Sequence, residues 1–288
     1  MISQRIDRID EDRARALAGL LDFPPDDIHE IEAGRLLRPM WHLPFLLARP
    51  AQSDLGSDGH PRVGEVVPPA PGLRRMFAGG RVRLTPGLRI GDDAVATTAA
   101  SPSRERVGRS GRMHFITLTT TVEQDGATAL REERDLVYLH HRASKGGAAR
   151  VRIDVNEEIG PVVQEVPVDE TLLFRFSALT YNAHRIHYDR DYARDVEGYE
   201  GLVVHGPLQA LLMAEVATQA VVGCPTAGTA VPMEFTYRLV AQLSESDGLL
   251  LHRGTVSDQG VAVAIADRSG RMTARGHLRA DAGGTVGQ

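Results

Sequence analysis

The chain has 288 residues, 33 basic and 38 acidic, for a net charge of −5, and is 42% hydrophobic and 25% charged. That acidic balance argues against nucleic acid as the main partner, since phosphate binding needs a basic face. A single cysteine, Cys224, excludes an internal disulfide and a cysteine-based zinc site. Nothing approaches the ~20 apolar residues of a membrane span. The N-terminus alternates charges where a signal peptide would carry an apolar run, so the sequence predicts a soluble, cytoplasmic protein. Lys145 is the one lysine, so arginine usage follows a compositional bias and an isolated arginine carries little functional weight.

Taken in chain order, Glu11 to Leu21 has helical spacing with Asp10 as a cap. Leu36 to Leu47, LLRPMWHLPFLL, is an apolar helical stretch broken by Pro39 and Pro44. Ala48 to Gly72 is rich in Gly, Pro, Ser and Asp and too long for an ordinary connection, which marks it as a functional loop or a mobile one. Glycines 79 and 80 are taken as a tight bend. Arg81 to Leu84, His114 to Thr119 and Leu136 to Leu139 read as strands. The stretch His141 to Arg150 marks a linker, so residues 1–145 and 146–288 are expected to form two halves.

In the second half, Thr171 to Phe176 reads as a strand, followed by a histidine-rich turn and a short helix from about Arg190. A long helix runs from Pro207 to about Val222, with Gly206 at its cap and Gly223 as its stop. Four strand-like runs follow, at Pro232 to Val240, Leu249 to Val256, Val261 to Ala266 and Met272 to Leu278. One largely apolar helix and an antiparallel meander predict an α+β fold, a helix wrapped in a curved sheet. The first half has the same order of elements in blurred form, a weak internal repeat.

The candidate chemistry lies between Phe176 and Leu212. FSALTYNAHRIHYD places Asn182, His184 and His187 on a connection where side chains can converge on a cleft, and HGPLQALL places His205 and Gly206 at the mouth of the long helix. Pro207 has no N–H, so Gly206 and Leu208 are the free donors there, suited to a carbonyl oxygen gaining negative charge. An imidazole beside them can move a proton near neutral pH.

These segments resemble the MaoC-like acyl-thioester dehydratases. FSALTYNAHRIHYD is similar to their D-x-N-P-x-H motif and its acidic follower, and HGPLQALL to their H-G-x-x-x-x-x-L helix start. The closer likeness is to a branch with N-A/G-H-R-I-H, which includes mitochondrial 3-hydroxyacyl-thioester dehydratases and bacterial mesaconyl-CoA hydratases. LLRPMWHLPFLL and PGLRRMFAGGRVRL resemble further segments of that branch, so the likeness covers most of the chain.

The resemblance implies a double hotdog in which only the second half is catalytic. It gives His187 as the acid/base and Gly206 as the donor to the thioester carbonyl, with Asn182 and His184 in the places of an aspartate and an asparagine. An amide cannot act as a base here, so either His187 or His184 must take the proton of the water, and Asn182 could only hold the water or an imidazole. Arg185 stands where the motif has proline, and could pair with a second carboxylate; Leu208, His205 and Tyr181 are the other expected substrate contacts.

The implied activity is reversible hydration of an enoyl-CoA, on a branched dicarboxylic acyl group of the mesaconyl or itaconyl kind. CoA would be the only cofactor, arriving with the substrate, and a homodimer is implied. An acyl-carrier-protein dehydratase, a non-catalytic thioester-binding subunit and a thioesterase stand as alternatives. Plainer roles compete at single residues: a hydrogen-bonded core histidine for His187, a metal set of His184, His187 and Asp189, a solvated Arg185, packing roles for Tyr181 and Tyr188, packing or an acyl pocket for Trp41 and His42, and phosphate contacts or surface ion pairs for Arg74 and Arg75.

Overall fold

The structure is a computed structural model that describes residues 2–62, 73–108, 111–140, 155–222 and 231–280. In chain order it comprises β1 (Ile2–Arg8), α1 (Glu11–Leu20), α2 (Pro25–His29), β2 (Leu73–Leu84), β3 (Asp93–Ala100), β4 (Arg104–Gly108), β5 (Gly111–Gln124) and β6 (Ala127–His140). There follow α3 (Val155–Glu158), β7 (Val162–Val166), α4 (Glu170–Leu179), α5 (Gly206–Val222), β8 (Met233–Leu239), β9 (Leu249–Arg253), β10 (Val261–Ala266) and β11 (Met272–Ala280). The linker expected at 141–150, and the stop at Gly223, lie outside the described residues.

Ten strands form one antiparallel path, β1-β3-β5-β6-β2-β8-β11-β10-β9-β7, with β4 added on β5. Outward from the β2–β8 joint the order is palindromic: β6 mirrors β11, β5 mirrors β10, β3 mirrors β9, and β1 mirrors β7. The internal repeat is therefore explicit in the topology, and the molecule is a double hotdog. Strand β1, unread in the sequence because ISQRIDR holds only two apolar residues, Ile2 and Ile6, both exposed, is an edge strand paired with β3.

Helix α5 is apolar all round, and such a helix belongs in an interior. Its residues from Leu208 to Thr218 are all buried against β9, β10 and β11. The matching first-half stretch is not a helix, which corrects the expectation at 36–47. Pro39 and Pro44 lack the N–H that an α-helical ladder needs. The chain instead makes successive turns, Trp41 N–H to Arg38 O at 3.1 Å and Phe45 N–H to His42 O at 3.0 Å, with Met40 and Leu46 at positive φ.

Those turns still fill the core with Met40, Trp41 and Phe45. They also meet α5 directly: Trp41 Nε1–H donates to Glu215 Oε1 at 2.5 Å, and Arg38 Nη2 lies 3.1 Å from Glu215 Oε2.

Two further expectations are corrected. Thr171 to Phe176 lies in α4 rather than a strand. The Asp169 carboxylate caps it by accepting the Leu172 N–H at 2.8 Å, and Leu173, Phe176 and Ser177 form its buried face at helical spacing. Gly79 and Gly80 lie inside β2 at a bulge, not at a bend. A Cβ on Gly79 would overlap the Tyr237 carbonyl, so glycine lets β2 and β8 close the joint between halves.

Candidate active site

α4 ends at Leu179, and the chain turns through Tyr181 at φ +52° into a loop that carries three of the predicted residues. The Asn182 Oδ1 accepts the His184 backbone N–H at 3.0 Å, an Asx turn that fixes the loop and occupies that oxygen. A short 3₁₀ turn, Arg185–His187, then sends the His187 ring inward.

The His187 Nδ1–H donates to the Val203 carbonyl at 2.7 Å. That bond fixes the tautomer and leaves Nε2 with its lone pair, so His187 is equipped to accept a proton. His205, the residue before α5, stacks on His187 with ring centroids 3.6 Å apart, and its Nε2 lies 2.8 Å from Ser177 Oγ. His184 stands edge-on to His187 at 5.4 Å. Burial, with the fields of neighbouring histidines, depresses all three: His187 to about 4, His184 to about 2 and His205 well below its usual range. All three rings are neutral at pH 7.

Gly206 opens α5 beside this stack, and the opening N–H groups of a helix have no intrahelical acceptor. A Cβ on Gly206 would overlap Leu239 Cδ1 and stand 2.8 Å from Phe77 Cδ1, so the absence of a side chain lets these two residues of β8 and β2 close over the helix start. The structure thus gathers His187, His184, His205, Asn182 and Gly206.

The remaining predicted residues lie elsewhere. The Leu208 side chain is buried in the core, and Tyr181 points outward, 57% exposed. Arg185 is engaged: Nε and Nη2 bind Asp189 Oδ2 at 3.0 and 2.7 Å, Nη1–H donates to Ser57 O at 3.0 Å, and the guanidinium lies 4.0 Å over the Tyr192 ring. Asp189 is accordingly committed to Arg185, and the set His184, His187 and Asp189 is not assembled as metal ligands.

The sequence reading missed Asp58 and His60, which the Gln52–Arg62 loop of the first half lays over His184. The His60 ring lies 3.9 Å from that of His184, and His60 Nδ1 lies 3.3 Å from Asp58 Oδ2. The signal was available in Ser57-Asp58-Gly59-His60, an acid two residues before a histidine with a glycine between. Asp58, His60 and His184 bring one ligand atom each within 4.8 Å of one another.

Residues 40–245 match the family model of the hydroxyacyl-thioester dehydratases type 2. The chain belongs to that family. Over 181 residues it is 45% identical to the mesaconyl-C(4)-CoA hydratase of Chloroflexus aurantiacus, which covers 63% of this chain and 64% of that protein. It is 27% identical over 202 residues to the mitochondrial hydroxyacyl-thioester dehydratase type 2 of Schizosaccharomyces pombe, covering 62% of this chain and 66% of that one. These matches thus span less than two thirds of either relative.

The fold is shared with a MaoC-like dehydratase from Phytophthora capsici (TM-score 0.69, 12% identity, 97% of this chain and 95% of that one). It is shared also with HtdX from Mycobacterium tuberculosis (TM-score 0.64, 13% identity, 96% and 98%). Among the described residues of this family member, no helix is long and apolar enough to cross a membrane.

Proposed function

We propose that the protein catalyses the reversible hydration of an enoyl-CoA thioester, on a short branched dicarboxylic acyl group such as mesaconyl or itaconyl. The observation that carries this is His187, its Nδ1–H held by Val203 O and its Nε2 free to accept a proton, in a stack that leads straight to the opening of α5 at Gly206. A base and an anion-stabilising helix start, side by side, suit proton transfer next to a carbonyl.

Water attacks the β-carbon as its proton passes to His187 Nε2. The carbon–carbon π pair moves onto the thioester oxygen, where the Gly206 N–H stabilises the enolate. The His187 imidazolium then returns the proton to the α-carbon, so one histidine serves as base and acid. The reaction as written uses no metal or redox cofactor, and CoA comes with the substrate.

Asn182 holds the loop rather than the proton. Arg185 is bound by Asp189 and so is not free to pair with a second carboxylate. A cleft of about 410 Å³ lined by Arg104, Arg106, Arg238 and Phe115 shares Leu239 with the Gly206 wall and suits the phosphates of CoA. The protein is further proposed to work in the cytoplasm as a homodimer. The same arginines would also receive an acidic carrier protein, which keeps a carrier-protein dehydratase as the second reading.

The test follows the ultraviolet band of the conjugated enoyl-thioester with mesaconyl-CoA, crotonyl-CoA and crotonyl carrier protein, for wild type and His187→Ala. Loss of the band without release of thiol, abolished in the variant, supports hydration, and the fastest substrate identifies the acyl group and its carrier. Release of free CoA would make the enzyme a thioesterase, and binding without turnover a thioester-binding subunit.

A further inference from the structure

The Gln52–Arg62 loop and the catalytic loop bring three metal-ligating side chains to one place. Asp58, His60 and His184 each offer one ligand atom, and these atoms lie within 4.8 Å of one another. We propose that they bind a divalent ion of the zinc class, and that the bound ion lowers the rate of hydration. The site stands on its own geometry; its effect on rate rests on the hydratase reading.

The ligands are held together by the two loops themselves. The first-half loop is closed by the Leu55–Pro61 bridge, by Gly56 N–H to His60 O at 2.7 Å and by Arg62 N–H to Asp54 O at 2.8 Å. Arg185 clamps it to the catalytic loop, with its N–H on Asp58 O at 2.9 Å and Nη1–H on Ser57 O at 3.0 Å. Gly59, at φ +85°, presses so close to the Ala183 carbonyl that a Cβ would overlap it. Two loops more than a hundred residues apart in sequence are thereby one unit.

Spacing and chemistry select the ion. Zinc sits about 2.0–2.2 Å from nitrogen and oxygen ligands, so two ligands at the tetrahedral angle are about 3.3–3.5 Å apart. Asp58 Oδ2 and His60 Nδ1 are 3.3 Å apart, which matches that spacing and is longer than most N–H···O bonds. With Nδ1 as the ligand atom, the His60 ring carries its proton on Nε2. No hydrogen bond among the described residues uses the His184 ring. Closing the set from 4.8 Å to the tetrahedral spacing takes at most about 1.5 Å of side-chain movement.

Two imidazoles and one carboxylate suit zinc, cobalt or nickel, whereas magnesium and calcium want oxygen ligands throughout. Three protein ligands leave a fourth position for water. Around the His60 ring two negative groups, Asp58 and Glu197, stand against one positive group, Arg75. The Asp58 and His60 side chains are 40% and 23% exposed, which gives the ion a path from solvent.

The effect on rate follows from the row of rings. His184 stands edge-on to His187 at 5.4 Å. Hydration passes through an imidazolium on His187, and a divalent charge bound to the neighbouring ring opposes that second cation.

The test strips the full chain with a chelator and titrates it with Co2+, read by the visible absorbance of tetrahedral cobalt, and then with Zn2+, read by displacement of cobalt. Wild type is compared with Asp58→Asn, His60→Gln and His184→Gln. Wild type should bind one equivalent, and each variant should bind at least about tenfold more weakly. Melting curves without metal separate a lost ligand from a lost fold, and a variant that fails to fold leaves the decision to the other two. Hydration of mesaconyl-CoA by the stripped wild type should fall about tenfold when zinc saturates the site, and recover with chelator.

No bound cobalt, or binding equally tight in all three variants, overturns the site. Binding with hydration unchanged overturns the effect on rate, and a stripped enzyme that needs zinc for turnover overturns it in the opposite sense. A wild type inactive with and without zinc overturns the hydratase reading, while the cobalt titrations still decide the site.

Discussion

Acid should unfold this protein well before its carboxylates titrate. His187 and His184 have folded-state pKa values of about 4 and about 2, against an ordinary 6.5. At pH 7 the rings are neutral in both states and contribute nothing. As pH falls below 6.5 the unfolded chain binds protons that the folded site refuses, so stability falls through the window from 6.5 down to the folded values. At pH 5 that is 1.5 pH units below the ordinary value, and about 2 kcal/mol per histidine, or about 4 kcal/mol for the pair. His205, depressed in the same stack, adds in the same direction.

Asp58 and Glu132 are held at about 2, so their stabilisation persists across this window and is lost only as pH falls towards those values. Urea titrations at pH 7, 6 and 5 should therefore show the midpoint falling by about 1–2 M between pH 7 and 5, for slopes of about 2–3 kcal/mol/M. His187→Gln should lose about 2 kcal/mol less over the same interval, whatever its stability at pH 7. A wild-type midpoint that does not move, or a variant with the wild-type pH dependence, would refute the assignment of buried neutral histidines.

Three further outcomes are expected. Gly206→Ala must push aside Leu239 and Phe77 and displaces the helix start, so kcat should fall about 100-fold, with about 1–3 kcal/mol lost in thermal unfolding. Trp41→Phe removes the N–H donor to buried Glu215 and should cost about 1–3 kcal/mol, read as a lower melting temperature, with KM unchanged. Arg185→Met releases Ser57 O and should lower kcat/KM about tenfold through misplacement of the 51–62 loop; equal loss with a dicarboxylic and a monocarboxylic acyl-CoA would separate this from recognition of a second carboxylate.

What the sequence showed and what it hid divide on the range of the interactions. Cap and helix for α1, the start of α5 at Gly206 and the four closing strands were legible, because each rests on residues within a few positions. Leu172 to Phe176 satisfies a strand pattern as well as a helix one, and what decides for α4 is the cap at Asp169. For Arg185 the deciding partner is Asp189, four residues on, rather than a substrate carboxylate or solvent. His60 could not be placed, because its neighbour in space is 124 positions away and no local period reports such a contact.

The palindromic sheet sets the opening of α5 against a differently built stretch of the first half. The pseudo-symmetry would place a second helix start where Arg38 to Leu46 lies, but Pro39 and Pro44 turn that stretch into loops without an α-helical opening for an oxyanion. Its polar groups are spent on α5 instead, with Arg38 and Trp41 both on Glu215. The first half also reaches the candidate site of the second: Phe77 of β2 walls Gly206, and the 51–62 loop brings Asp58 and His60 to the histidine row. An isolated second half would keep His187 and Gly206 yet lose the Phe77 ring against Gly206 and the Asp58–His60 pair that lies over His184.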